Sequence, residues 1–350
     1  MHRLRQMALA GIMGAAALAA TPAAACTRCL HVFADGTVIV GRSMDWMEDP
    51  GSEIWCFPRG LQRQGHAGPK SLTWTSRHGS VAVSFYDVAT ACGMNEKGLV
   101  ANLLYLAESD YGKPVADRPA LSIGGWAQYV LDSYATVAEA VAELRTEPFT
   151  IVAPILPNGE PAVGHLAISD PSGDSAIFEY LAGRLVIHHG RDFTVMTNSP
   201  PFDDQLALNA YWKEIGGDVM LPGTIRASDR FVRASYYCGA IPKDLTGIRA
   251  IASVLSVIRN ASAPLGITTP GEPNVASTIW RTVHDQKSRV LYFDSATSPT
   301  VFWVPLETLD FSAGGGVKRL PLKGGETYTG TASASFQPAE PFPFLEAKPE

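Results

Sequence analysis

Ala23-Ala24-Ala25-Cys26-Thr27-Arg28-Cys29-Leu30-His31-Val32-Phe33-Ala34-Asp35-Gly36-Thr37-Val38-Ile39-Val40-Gly41-Arg42-Ser43-Met44-Asp45-Trp46 contains two junctions that organise the chain. The first is a cleavage signal. Met1 to Gln6 are basic, Met7 to Ala20 are an apolar run of small residues, and Ala23-Ala24-Ala25 present the small side chains of an export cleavage site. Cleavage after Ala25 makes Cys26 the first residue of the mature chain. It then owns a thiol nucleophile and a free α-amine whose pKa of ~7.7–8.0 suits a base at neutral pH. The second junction is Asp35-Gly36, a two-residue hairpin signal between the β-rich runs 27–33 and 37–43. In such a hairpin paired residue numbers sum to 71, so Cys26 faces Asp45. Arg42, three residues from Asp45, then points to the other face and reaches Cys26 only through a bulge or a strand end.

Other readings of Cys26 stand beside this one. Ala-Ala-Ala-Cys loosely matches a lipoprotein signal, although Leu is usual three residues before the Cys, so the chain could be an envelope binding protein anchored by lipid at Cys26. A structural thiol or disulfide partner is a further option in an exported chain. Cys26, Cys29, Cys56, Cys92 and Cys238 are the cysteines; with Cys26 kept free, the other four allow three pairings. Cys26-Thr27-Arg28-Cys29 spells a redox CxxC, but such motifs open helices and this one lies on a strand pattern. No metal site is expected, since the histidines form no ligand-spaced cluster and His188-His189 point to opposite faces of a strand.

Removal of residues 1–25 leaves 26 basic and 34 acidic side chains, a net charge of −8, which argues against nucleic acid or an anionic membrane surface as partner. No apolar run after the leader is long enough to span a bilayer. The composition therefore predicts one exported domain, 26–350, periplasmic or secreted, with a Gly/Pro-rich tail from about Ser312 that wraps the surface.

Further strands are predicted at 53–57, 71–75 and 80–86, with a loop at 59–70 and a polar turn at 93–98 before the apolar run Leu99 to Leu106. Helices follow at 119–133 and from Thr136, where Glu139 completes a capping box. Strand runs at 163–169, 175–181, 184–188 and 193–197 form a meander, and helices are predicted at 203–215, at 228–240 with Ser228 as N-cap, and at 244–260. Strands return at 275–283, 288–294 and 300–306. Two groups of antiparallel strands with helices between them indicate a layered α+β fold of two packed sheets with helices outside.

Taken singly, Gly41-Arg42-Ser43-Met44-Asp45-Trp46, Thr197-Asn198-Ser199-Pro200 and Ser228-Asp229-Arg230-Phe231-Val232-Arg233 read as a salt-bridged strand end, a turn and a charged helix start. Together with an N-terminal Cys, GMNEKGL at 93–99, LPG at 221–223, Thr278-Ile279-Trp280-Arg281 and Tyr292-Phe293-Asp294, they resemble the choloylglycine hydrolase family, the penicillin V acylases and bile salt hydrolases among the N-terminal nucleophile hydrolases.

The resemblance implies a four-layer αββα sandwich and hydrolysis of a linear amide through an acyl-cysteine. It implies Cys26 as nucleophile, Arg42 and Asp45 as its orienting partners, Asn198 as oxyanion-hole donor, Arg230 as active-site Arg and no cofactor. Six residues past Leu99 lies Tyr105, where bile salt hydrolases commonly carry Asn and penicillin V acylases an aromatic; its backbone N–H would complete the oxyanion hole. Arg42 and Arg230 are expected to lower the thiol pKa. Cys92 stands where the family often has Asp, and neither it nor Cys29 is expected to touch the chemistry. The Gram-negative branch also suggests N-acyl homoserine lactones as substrates, and the family a homo-oligomer, a tetramer. Tyr105, Trp46, Trp74 and Phe85 are candidate walls for an apolar acyl group, with bile salts as the alternative substrate.

Overall fold

The computed structural model describes residues 26–270 and 275–348, so the leader reading of 1–25 lies outside the described residues. Thr27–Val32 and Val38–Asp45 pair antiparallel, but around a three-residue loop rather than two. Phe33 N–H donates to Thr37 O at 2.8 Å and Gly36 N–H to Phe33 O at 3.0 Å, with Gly36 at φ +77° supplying the left-handed step that closes such a loop. Pairs therefore sum to 70: Thr27 faces Ser43 and Arg28 faces Arg42. This corrects the expected register, and a one-residue slip changes which side chains share a face. Cys26, Arg28, Arg42 and Met44 now point together, whereas Asp45 joins Thr27 and Ser43 on the opposite face.

This hairpin sits in a seven-stranded sheet whose order is 195–196, 27–32, 38–45, 278–285, 290–295, 301–305 and 330–331. A nine-stranded antiparallel sheet packs on it, ordered 184–189, 175–181, 165–169, 100–104, 89–95, 80–85, 54–57, 318–320 and 337–338. Alternation along the strands of the first sheet sends Val40 and Met44 into the apolar layer between the sheets, where they join Val81, Met94 and Val100 of the second.

The helices are α1 (Trp126–Ser133), α2 (Val137–Leu144), α3 (Phe202–Ile215), α4 (Ala227–Ala240) and α5 (Gly247–Asn260). Helices α4 and α5 cover the outer face of the first sheet. The approach of α5 depends on Gly41, where a Cβ would meet Ile258 Cγ1 at 2.7 Å and Val254 Cγ1 at 3.1 Å. Helix α1 covers the second sheet, with Leu131 Cδ1 at 2.8 Å from the Cβ that Gly93 lacks. The architecture is an α+β, four-layer αββα sandwich.

Thr136 and Glu139 form the expected capping box. Other boundaries move for local reasons. Ala120–Ser122 is not helical; it pairs in parallel with Thr150–Val152, and a 3-10 turn at Ile123–Gly125 precedes α1. Arg226, not Ser228, is the N-cap residue of α4, which starts one residue before Ser228, and Asp229 Oδ2 in its first turn accepts from the N–H and O–H of Thr224. The run 193–197 shortens to Val195–Met196. The tail does more than wrap the surface: Phe342 and Phe344 are buried against Trp55 and Phe57, and Leu345 N–H donates to Val88 O at 2.8 Å. Among the described residues no helix is long and apolar enough to cross a membrane.

Gly41→Ala forces a methyl against Ile258, and overpacking of this kind costs about 1–3 kcal/mol. A thermal melt should show a clearly lowered Tm; an unchanged Tm would mean that α5 stands off the sheet.

Candidate active site

Cys26 immediately precedes the strand 27–32, which lies beside the short edge strand 195–196 of the first sheet, and is 3% exposed. Its Sγ lies 3.6 Å from Arg42 Nη2 and 3.9 Å from Asp45 O. The corrected register explains the first contact, because Arg42 lies on the face of Cys26 that the sequence argument denied it. Arg42 reaches across the sheet interface, donating through Nη1 to Ala91 O at 2.8 Å and Leu103 O at 3.3 Å, and its guanidinium lies 5.0 Å from the ring centre of Trp280.

Asp45, on the other face, accepts from Thr278 Oγ1 and, at 3.4 Å, from Ser43 Oγ, and its Oδ2 lies 3.8 Å from Arg230 Nη1. Arg230 comes from α4 and ties the site together. Its Nε donates to Ile225 O at 2.8 Å, Nη1 to Cys26 O at 2.7 Å and to Thr27 Oγ1, and Nη2 to Asn198 Oδ1 at 3.1 Å. Asn198 follows the strand 195–196 and precedes the cis Ser199-Pro200 bond. It receives the Cys26 N–H on Oδ1 and donates from Nδ2 to Tyr105 O at 2.6 Å. Tyr105 stands just past the end of strand 100–104, where its carbonyl accepts from Asn198 and its side chain lines the cavity beside Cys26.

An apolar cavity of about 70 Å³ opens beside Cys26 and Arg42. Trp46, Phe85 and Tyr105 line it, as do Leu103, Ile123 and Leu345, which the sequence did not single out. Trp46 packs on Phe85 and Tyr105 with ring centres 5.4 and 5.7 Å apart. Trp74 is a correction: it lies outside this cavity, with its Nε1 donating to Asp132 Oδ2 at 2.8 Å and its ring against Tyr129 and Phe344. Trp74 therefore fastens α1 and the tail.

Two further cysteines lie near this arrangement. Cys92 is buried with Sγ 3.8 Å from Thr282 Oγ1, and burial raises its thiol pKa against the pull of Arg42. Cys29 lies with Thr27 on the helical face of the sheet, away from Cys26, and near it Cys238 of α4 donates from Sγ to Leu30 O at 3.1 Å. All five thiols are free. Among the described residues no cluster of His, Cys, Asp and Glu could hold a metal.

Burial pushes the Cys26 thiol above its ordinary range; Arg42 and Arg230 pull it down but are outweighed. The two arginines thus pull the thiol down as expected, and burial, the larger effect, leaves the protonated form favoured. Burial also pushes Asp45 up to about 6 against the pull of Arg230, Thr278 and Ser43. A carboxyl with a raised native pKa binds its proton more tightly in the folded chain. Its contribution to stability is complete below about pH 4 and is lost as pH rises through about 6. Asp45→Asn should abolish this loss. Denaturant unfolding of the unprocessed wild-type and variant chains at pH 4 and pH 7 should show their stability difference shifting toward the variant at pH 7; a pH-independent difference would contradict the assignment.

A family model described as linear amide C–N hydrolases, choloylglycine hydrolase family, matches residues 26–317 and begins at Cys26. The chain is 47% identical to a penicillin V acylase of Pectobacterium atrosepticum over 98% of both sequences. It superposes on the structure of penicillin V acylase from Agrobacterium tumefaciens with TM-score 0.84 and 54% identity, covering 91% of this chain and 99% of that one. A conjugated bile acid hydrolase from Clostridium perfringens shares the fold at TM-score 0.73 and 21% identity, covering 88% of this chain and 98% of its own. With the αββα sandwich and Cys26 buried in it, these likenesses place the chain in the choloylglycine hydrolase family, as a hydrolase of linear amide C–N bonds.

Proposed function

We propose that the chain is exported, loses residues 1–25, and acts as an acylase of the penicillin V type through Cys26. The observation that carries this reading is Cys26 set against an apolar cavity lined by Tyr105, with Asn198 bonded both to Cys26 N and to Tyr105 O. In the full chain the Cys26 nitrogen is a peptide N–H that donates to Asn198 Oδ1, and it cannot act as a base. Cleavage after Ala25 turns the same atom into an amine. That amine takes the thiol proton as sulfur attacks the amide carbonyl, and returns it to the leaving nitrogen as the C–N bond breaks. Water then attacks the thioester, releasing the acid and restoring the thiol. Arg230 holds Cys26 O and Asn198 Oδ1 during these steps, and Asp45 balances its charge. Asn198 Nδ2–H and Tyr105 N–H supply the oxyanion donors, each worth ~2.7–4 kcal/mol in comparable sites.

The cavity favours the acylase reading over bile salts. Its volume of about 70 Å³ and its lining by Trp46, Phe85, Leu103 and Tyr105 suit a small flat or extended apolar acyl group better than a polyhydroxylated steroid. The same apolar lining accepts an unbranched acyl chain, which makes N-acyl homoserine lactones the second substrate class. Each buried CH₂ adds ~0.8 kcal/mol until the pocket is full.

An amide panel tests this: phenoxymethylpenicillin, benzylpenicillin, glycocholate, taurocholate and acyl homoserine lactones of graded length, scored by amine released. Higher kcat/KM for phenoxymethylpenicillin or the longer lactones than for either bile salt is expected, and the reverse order would move the chain to the bile salt hydrolases.

Cys26→Ala should abolish turnover without unfolding the protein, Cys26→Ser should lose most of it, and Asn198→Ala should lower kcat by about 10²–10³. Mass analysis of the exported protein should find an unmodified Cys26 at its N-terminus. A diacylglyceryl adduct there, or full activity with residues 1–25 retained, would end the mechanism.

A further inference from the structure

The segment from Thr197 to Phe202 carries Asn198 into the site, and five of its backbone polar atoms, Thr197 N and O, Asn198 O, Pro200 O and Phe202 N, are held by three buried side chains. Thr197 N–H donates to Gln205 Oε1 at 3.3 Å, and Thr197 Oγ1 lies 2.9 Å from that oxygen and 3.0 Å from Ala227 O. Gln205 Nε2 donates to Asn198 O and, at 2.6 Å, to Pro200 O. A further acceptor, Thr197 O, lies 2.7 Å from His165 Nε2, on the second sheet. His165 Nδ1 is 2.8 Å from Glu179 Oε1 on the neighbouring strand, and both Glu179 oxygens accept the Phe202 N–H at 3.1 Å. His165, Glu179, Thr197, Asn198 and Gln205 are all 0% exposed.

Counting donors fixes what this network contains. A carbonyl oxygen only accepts, so Nε2 carries a hydrogen and donates it to Thr197 O. The contact between Nδ1 and Oε1 then holds one proton shared by imidazole and carboxyl. Burying such a pair costs desolvation that apolar side chains of similar size avoid. The bonds that offset this cost end on Thr197 and Phe202, the two ends of the segment that presents Asn198.

Building on the reading of Asn198 as an oxyanion donor, we propose that His165 and Glu179 are positioning residues for it. His165 fixes the carbonyl on the N-terminal side of Asn198, and Glu179 fixes the first N–H of α3 beyond the cis Ser199-Pro200 bond. Gln205 holds the carbonyl of Asn198 itself. With its backbone held on both sides, the Asn198 amide is set between Cys26 N and Tyr105 O, where small displacements matter: a shift of ~1 Å can cost about 10²-fold in rate.

Phenoxymethylpenicillin kinetics and hydrogen exchange on the processed enzyme test the proposal. His165→Leu should lower kcat about tenfold or more, leave KM within about twofold, and speed amide exchange at 197–202. His165→Gln keeps an N–H within reach of Thr197 O and should recover most of the kcat. Adding His165→Leu to Asn198→Ala should cause little further loss, because both act through one donor. Glu179→Met keeps the length of the side chain while removing both the partner of His165 Nδ1 and the acceptor of the Phe202 N–H; it should show the same split, and decides the matter if His165→Leu fails to fold. Wild-type kcat and unchanged exchange in His165→Leu or Glu179→Met would overturn the proposal, as would a His165→Leu loss that multiplies in full with that of Asn198→Ala. Wild-type kcat in Asn198→Ala alone would instead refute the oxyanion reading.

Discussion

A buried guanidinium holds the two halves of this site in register. Arg230 is 0% exposed, and its fork meets Cys26 O, Thr27 Oγ1, Asn198 Oδ1 and Ile225 O, with Asp45 nearby as counter-charge. Burial alone lowers the tendency of Arg230 to stay charged, and Asp45 opposes that effect. A lysine could not replace it, because an ammonium is a single point of donors whereas the planar fork reaches oxygens on three chain segments together. Loss of the fork would strand several buried acceptors, each with its own desolvation cost. The fold around it, with α4 laid on the first strand, is what brings the fork to Cys26.

Much of this was legible in the sequence, and what was not has definite causes. Cys26, Arg42, Asp45, Asn198, Tyr105, Arg230, Trp46 and Phe85 do converge in space, because strand ends and turn motifs mark where a chain leaves a sheet. The hairpin register was missed by one residue. Asp35-Gly36 serves a two-residue turn and the end of a three-residue loop equally well, and only the Phe33 and Thr37 pairing tells them apart. That single residue decided whether Arg42 or Asp45 lay on the thiol's side. Trp74 was misplaced because strand alternation says which face a side chain takes but not what lies across it. The cavity wall at Ile123 and Leu345, and the hold of His165 on Thr197, join residues far apart in sequence and leave no local pattern.

The electrostatics give the thiol a specific resting state. Arg42 and Arg230 both favour thiolate, yet desolvation is the larger effect and keeps the proton on sulfur. A neutral, buried thiol is protected from adventitious oxidation, since the thiolate is the reactive form. On the proposed mechanism its activation rests on the nitrogen of the same residue, which as a peptide N–H donates to Asn198 and offers no lone pair. Under that proposal the chemistry of the site and the processing of the chain would be the same event.

The tail adds a constraint on shape. Leu345 closes the cavity that begins at Cys26, and it is held by its own N–H to Val88 O and by Ser122 Oγ donating to its carbonyl at 2.7 Å. Ala347 N–H adds a further bond to His66 O at 2.8 Å. One wall of the cavity beside Cys26 is thus lent by a segment without regular secondary structure, pinned by these hydrogen bonds, so the shape of the cavity is tied to the pinning of Leu345 and not to the two sheets alone.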